Sequence, residues 1–112
     1  MDINQFLLSF LHSLSTIDFV EKVDVHTEVF ILKVRAILKK GRFLQVYFNE
    51  QTGTTAFALI EEEKRIWGID FDSMRDWHLH PIGNPEFHYK IDSSMTIEDI
   101  IKALAEAWSL LP

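Results

Sequence analysis

The apolar residues of this chain change period twice, and that change restricts the fold more than any other feature. Ile3, Phe6, Leu7, Phe10, Leu11 and Leu14 recur at spacings of three and four, which places one apolar stripe on a helix over about 2–15. Asp2 stands where its carboxylate can accept from the free amides of the first turn and meet the positive end of the helix dipole. From Phe19 to Asp72 the helical period is lost. β-Branched and aromatic residues dominate there, with turn residues at Lys40-Gly41 and Gln51-Thr52-Gly53. The helical period returns in Ile97, Ile100, Ile101, Leu104, Trp108 and Leu111, behind Thr96 and Asp99 at capping-box spacing.

The central stretch reads as a meander of hairpins with strands at about 19–25, 28–38, 42–50, 54–61 and 64–72. Phe30, Leu32, Val34, Ala36 and Leu38 fall on one face of the second strand and Lys33 and Arg35 on the other, the alternation of a half-buried antiparallel strand. The third sets Leu44, Val46 and Phe48 against Arg42 and Gln45, with Phe43 and Tyr47 making its outer face partly aromatic. Glu61 to Arg65 reads as a charged, exposed turn. Ser73 to Glu86 shows no clean period, and Pro81, Gly83 and Pro85 argue against regular structure there. Phe87–Ile91 is expected to form a short last strand. The expected fold is one α+β domain over 1–112: an antiparallel sheet of five or six strands with the N-terminal and C-terminal helices packed on one face.

The chain has 112 residues and no cysteine. Disulfide scaffolds, thiolate metal sites and cysteine nucleophiles are therefore excluded, and packing has to hold the fold. No apolar run approaches the roughly 20 residues that cross a bilayer. Asp2 occupies the place of a positive n-region, so no signal peptide and a cytoplasmic location are expected. The net charge of −6 disfavours nucleic acid taken as a whole, but it is unevenly spread. Lys33, Arg35, Lys39, Lys40 and Arg42 fall in one acid-free stretch, which reads either as a patch that steers an anionic partner or as a hairpin tip guarded by lysines.

Three of five histidines cluster in Trp77-His78-Leu79-His80-Pro81-Ile82-Gly83-Asn84-Pro85-Glu86-Phe87-His88. Pro81 pushes His80 out of the helical region, and if His78 and Leu79 are extended as well, the two imidazoles point to one side. A turn through Gly83-Asn84-Pro85 could return His88 beside them, and Asp70 and Asp72 end the strand that leads in. Two chemistries suit such a set. His78, His80 and His88 with Asp70 could work as general base and general acid. Alternatively, the three histidines with Asp72 could ligate a divalent metal such as zinc. Trp77 is a candidate wall of the site, whereas Trp67 and Trp108 fit the core and His12 and His26 fit solvent.

A helix, an antiparallel meander, a strand ending in Trp67-Gly68-Ile69-Asp70, a histidine-rich proline loop and a final Thr96-Ile97-Glu98-Asp99-Ile100-Ile101 helix make the chain resemble the TumE family over roughly residues 28–105. These are toxin components of prokaryotic toxin–antitoxin pairs. The family's aromatic-Asp element is matched by Trp67 to Asp70, its clustered histidines by His78 and His80, and its histidine beyond a proline turn by His88. Gly68 and His-Leu-His stand where the family commonly has an arginine near the aspartate and adjacent histidines. The resemblance implies a toxin with an antitoxin partner, acting on RNA as a ribonuclease without a required cofactor. One histidine would take the 2′-hydroxyl proton, a second would protonate the leaving 5′-oxygen, and Lys33, Arg35 or Arg42 would neutralise developing charge. Two other readings remain open at this point: a noncatalytic metal- or partner-binding module, and an interaction protein that forms a homodimer through a sheet edge or through Phe43 and Tyr47.

Overall fold

A computed structural model describes all 112 residues, 1–112. Helix α1 (Ile3–Leu14) opens with a capping box: Asp2 Oδ1 accepts from the Gln5 amide at 2.8 Å, and Gln5 Oε1 accepts from the Asp2 amide at 2.9 Å. The Ile3 amide donates to Glu50 Oε2 at 2.9 Å, which ties the start of the helix to the sheet. Helix α2 (Ile97–Ser109) repeats the box with Thr96 and Asp99. Both helices are those the sequence pattern predicts.

Between them lie β1 (Val20–Thr27), β2 (Ile31–Leu38), β3 (Phe43–Asn49), β4 (Thr55–Glu61), β5 (Lys64–Asp72), β6 (Asp76–His80) and β7 (Tyr89–Lys90). All pair antiparallel in chain order, so the sheet has seven strands rather than five or six. The additional strand is β6, inside the stretch that sequence reading leaves irregular. Asp76-Trp77-His78-Leu79-His80 alternates as a strand must, but only five residues carry the pattern before Pro81 stops it.

One sheet face is buried and the other is open. Leu32, Val34, Ala36, Leu38, Leu44, Val46, Phe48, Phe57, Leu59, Trp67 and Ile69 join Phe6 and Phe10 of α1 and Ile100, Ile101 and Leu104 of α2 in one core, so both helices cover the same face. Phe6 stacks on Phe48 with ring centroids 4.3 Å apart, and Phe10 meets Phe57 at 5.9 Å. Such pairs contribute about 0.5–1.5 kcal/mol beyond the area they bury. Phe30 departs from the expected stripe: it precedes β2 in a bend and is exposed. His26 is exposed as expected, but in β1 and not in a turn.

Arg42 also departs from the expected pattern. The two-residue period that buries Leu44 and Val46 puts Arg42 on the core side with them, at 4% exposure. There its Nε donates to Glu61, its Nη2 donates to the Pro112 carbonyl at 3.2 Å, and its guanidinium lies over the Trp108 ring at 4.8 Å. Trp108 stacks in turn on Phe19 at 4.1 Å, joining the end of α2 to the chain entering β1.

Candidate functional site

Antiparallel pairing puts partnered residues on the same face. In the β5–β6 hairpin, Gly68 pairs His80, Asp70 pairs His78 and Asp72 pairs Asp76, so Asp70 and both histidines lie together on the open face. Trp77 and Leu79 take the opposite face. Residues 81–88 then fold over the histidines. Gly83 turns at φ +88°, the Asn84 amide donates to the Pro81 carbonyl at 3.3 Å, and the Phe87 amide donates to the Asn84 carbonyl at 3.1 Å. Ile82 packs against the core, and the Ile91 amide donates to the Trp77 carbonyl at 2.9 Å, fixing the far end of the loop. His78 and His80 are consequently 4% and 1% exposed although the helices never reach their face.

The expected turn does return His88 to the other two. Ring centroids are 5.2 Å apart for His78 and His80, 5.4 Å for His78 and His88, and 4.4 Å for His80 and His88. His88 is the exposed member of the set. Partial enclosure of its ring, followed by the charges that His80 and His78 would carry, holds its pKa below the ordinary histidine value. Neutral imidazole, with a lone pair available, is the form this environment favours.

The two enclosed histidines share one hydrogen-bonding pattern. His80 Nδ1 donates to the Pro85 carbonyl at 2.9 Å, and His78 Nδ1 donates to the Asp76 carbonyl at 3.2 Å. A carbonyl only accepts, so Nδ1 carries the hydrogen in both rings. Their Nε2 atoms lie 3.0 Å (His80) and 3.5 Å (His78) from the same carboxylate oxygen, Asp70 Oδ2. Both ring nitrogens of His80 therefore face protein acceptors, and it has none left for a substrate. Of the acid–base set expected from sequence, His88 is the member exposed to solvent, while His78, His80 and Asp70 form a floor beneath it.

Asp72, the carboxylate of the expected metal set, is held elsewhere. Its Oδ1 accepts from the amides of Met74 and Arg75, and its Oδ2 accepts from Arg75 Nε at 3.1 Å. The Arg75 amide first, with the Arg75 side chain and the Met74 amide adding, lowers its pKa below the ordinary carboxylate value. Trp77 faces the helices, packs on Phe71 at 5.0 Å, and helps line a cavity of about 530 Å³ with Phe6, Phe48 and Ile100. That cavity lies across the sheet from the histidines. Arg42 is in the buried contact with Glu61 and Trp108 described above.

Arg65 is a site residue that sequence reading missed, having counted it in a charged turn. The turn is only Glu62-Glu63, both with positive φ, and Arg65 already belongs to β5. Its Nη1 lies 3.8 Å from Asp70 Oδ2. Gly68 lies beside it: a Cβ there would stand 3.4 Å from Arg65 Cδ and 2.8 Å from the Phe57 carbonyl oxygen, and it is the second contact that requires glycine. A glycine two residues before the aspartate was the available signal.

Lys33 and Arg35 share the open face with the histidines. Following the pairings across the sheet, one row runs Lys33, Tyr47, Ala56, Asp70, His78, and the next runs Arg35, Gln45, Ala58, Gly68, His80. Four strand spacings separate the ends of each row, about 19 Å. Lys33 lies 4.0 Å from Glu28, and Arg35 covers the Phe43 ring at 4.4 Å. No helix is long and apolar enough to cross a membrane. No protein-family model, curated protein or solved structure matches the chain.

Proposed function

We propose that this chain is the toxin component of a toxin–antitoxin pair and acts on RNA as a ribonuclease, with Asp70, His78, His80 and His88 as its working centre. The observation that carries the reading is the pair of rows joining Lys33 and Arg35 to His78 and His80 on the face the helices leave open. Along them lie two cations for phosphates, Tyr47 with a ring face for a base, and a trough of small residues, Ala56, Ala58 and Gly68, leading to the histidines. An aromatic stacked on a base contributes about 1–3 kcal/mol regardless of sequence.

At the end of the trough, the neutral form favoured at His88 accepts the 2′-hydroxyl proton as that oxygen attacks the adjacent phosphate; the P–O5′ bond breaks to leave a 2′,3′-cyclic phosphate, and the departing 5′-oxygen takes a proton from water. Arg65, about a third exposed beside Asp70, meets the charge gathering on the phosphoryl oxygens. The resemblance to TumE proteins supports the toxin reading and the antitoxin partner, and the face supports RNA.

Incubation of tag-free protein with short single-stranded RNA, with products resolved on a gel, tests this. Wild-type protein is expected to cut, and His88→Ala to lose at least 100-fold in rate while melting within about 2 °C of wild type. No cleavage by wild type, with or without added divalent metal, or undiminished cleavage by His88→Ala, overturns the ribonuclease reading.

A further inference from the structure

We propose that Asp70 Oδ2 and the Nε2 atoms of His78 and His80 are three ligands of a divalent transition-metal site, with the fourth corner open towards His88. The argument begins with protons. Both rings place Nδ1–H on main-chain carbonyls, Pro85 and Asp76, so Nε2 is the nitrogen each can offer to a cation. Both Nε2 atoms lie beside one carboxylate oxygen, itself only an acceptor. A proton on Nε2 satisfies each contact, and a divalent cation among the three atoms would take the place of those protons. A histidine whose other nitrogen donates to a carbonyl is also the arrangement that orients metal-bound imidazoles.

The distances fit an ion. Zinc binds imidazole nitrogen and carboxylate oxygen at about 2.0–2.1 Å, so tetrahedral ligands stand about 3.4 Å apart. The two edges here are 3.0 and 3.5 Å. Two imidazoles and one carboxylate suit a borderline ion such as zinc in preference to calcium or magnesium. His88 has nitrogen within 4.8 Å of the other two histidines, but no main-chain carbonyl fixes its tautomer, and it is exposed on a loop. This places it at the open corner rather than in the ligand set. Three protein ligands and one free position are the pattern of zinc sites that do chemistry, as distinct from closed structural ones. Arg65, whose Nη1 lies 3.8 Å from Asp70 Oδ2, would meet an anionic group bound at that corner.

The inference concerns the same centre as the ribonuclease reading but not its substrate, so its test contains no RNA. Metal-free, tag-free full-length protein is titrated with Zn²⁺ against a chromophoric chelator, and X-ray absorption is recorded on the loaded protein. One zinc per chain is expected, with nitrogen and oxygen neighbours at about 2.0–2.1 Å. Asp70→Asn and His80→Ala are expected to weaken binding at least 100-fold. Asp72→Asn, whose carboxylate serves the neighbouring turn, is expected to bind as wild type, and His88→Ala within tenfold. If His80→Ala does not fold, Asp70→Asn and the absorption spectrum still decide. Binding weaker than about 10 μM, a wild-type affinity in Asp70→Asn, or a 100-fold loss in His88→Ala or Asp72→Asn overturns the assignment. Tight zinc binding without RNA cleavage would sustain this site while removing the ribonuclease; metal-free cleavage with no zinc affinity would do the reverse.

Discussion

Gly68 shows how one missing side chain shapes the site. A Cβ at this position would stand 2.8 Å from the Phe57 carbonyl oxygen, which belongs to the neighbouring strand and cannot move aside, and 3.4 Å from Arg65 Cδ. Gly68→Ala is therefore expected to destabilise the protein by about 1–3 kcal/mol, the range for overpacking a close contact. Urea denaturation measures this, and a loss below about 0.5 kcal/mol would contradict the close approach. The same glycine shows the limit of sequence reading at this scale. It marks a place where backbone and side chain come close, but the identity of Arg65 as the neighbour depends on a register that no local pattern encodes. Asp70 and Asp72 pose the same difficulty. Both sit at the end of one strand, on one face, two residues apart, and only the position of the turn decides which carboxylate meets histidines and which meets Arg75.

At the scale of elements, the β5–β6 hairpin sets the register of the histidines, and Asp72 holds its turn. The folded-state pKa of Asp72 lies below its ordinary value, chiefly through the Arg75 amide. A carboxylate of this kind contributes stability that is present above the ordinary carboxylate pKa, about 3.9, and is lost as pH falls through the lower folded-state value. Asp72→Asn should thus be less stable than wild type at pH 6, with the difference shrinking steadily below pH 4. Denaturant midpoints at pH 6, 4 and 3 check the trend; a gap that stays constant or widens in acid would contradict it. The helices and β1 to β5 were legible in the sequence because each carries its period over seven residues or more, and the short β7 falls within the last strand expected over Phe87–Ile91. The β6 strand was not legible, because five residues are too few to separate alternation from chance and Pro81 argues the other way. The burial of His78 and His80 was hidden as well, since their cover is a loop and not a helix. Arg42 was legible in principle: it shares the phase of Leu44 and Val46, and its charge outweighed that phase in the reading.

The whole molecule separates its cations by role. Lys33 and Arg35 stand on the open face, while Arg42 is enclosed between Glu61 and Trp108. Replacing the first two by alanine should weaken RNA binding and flatten its dependence on salt, with little change in stability, because phosphate contacts release counterions and exposed charges contribute little to folding. Arg42→Ala should do the opposite. It should destabilise by about 2 kcal/mol, less than a fully buried pair would lose because Glu61 keeps about a third of its exposure, and leave the salt dependence intact. Filter binding at several salt concentrations, set beside melting curves, separates the two; an Arg42→Ala protein with normal stability and lost RNA binding would reverse these roles.

The strand order has a consequence for how the molecule comes into being. Each strand pairs only with its neighbours in the chain, and the longest link between paired strands is the eight-residue loop from Pro81 to His88. Closing such short loops carries little entropic penalty, and topologies dominated by nearby contacts fold quickly for β-rich proteins. During synthesis the sheet can grow one strand at a time, each new strand finding a free edge already waiting. The histidine centre is built from β5, β6 and the Pro81–His88 loop, the last part of the sheet to arrive. A nascent chain therefore holds most of its sheet well before it holds any of its chemistry.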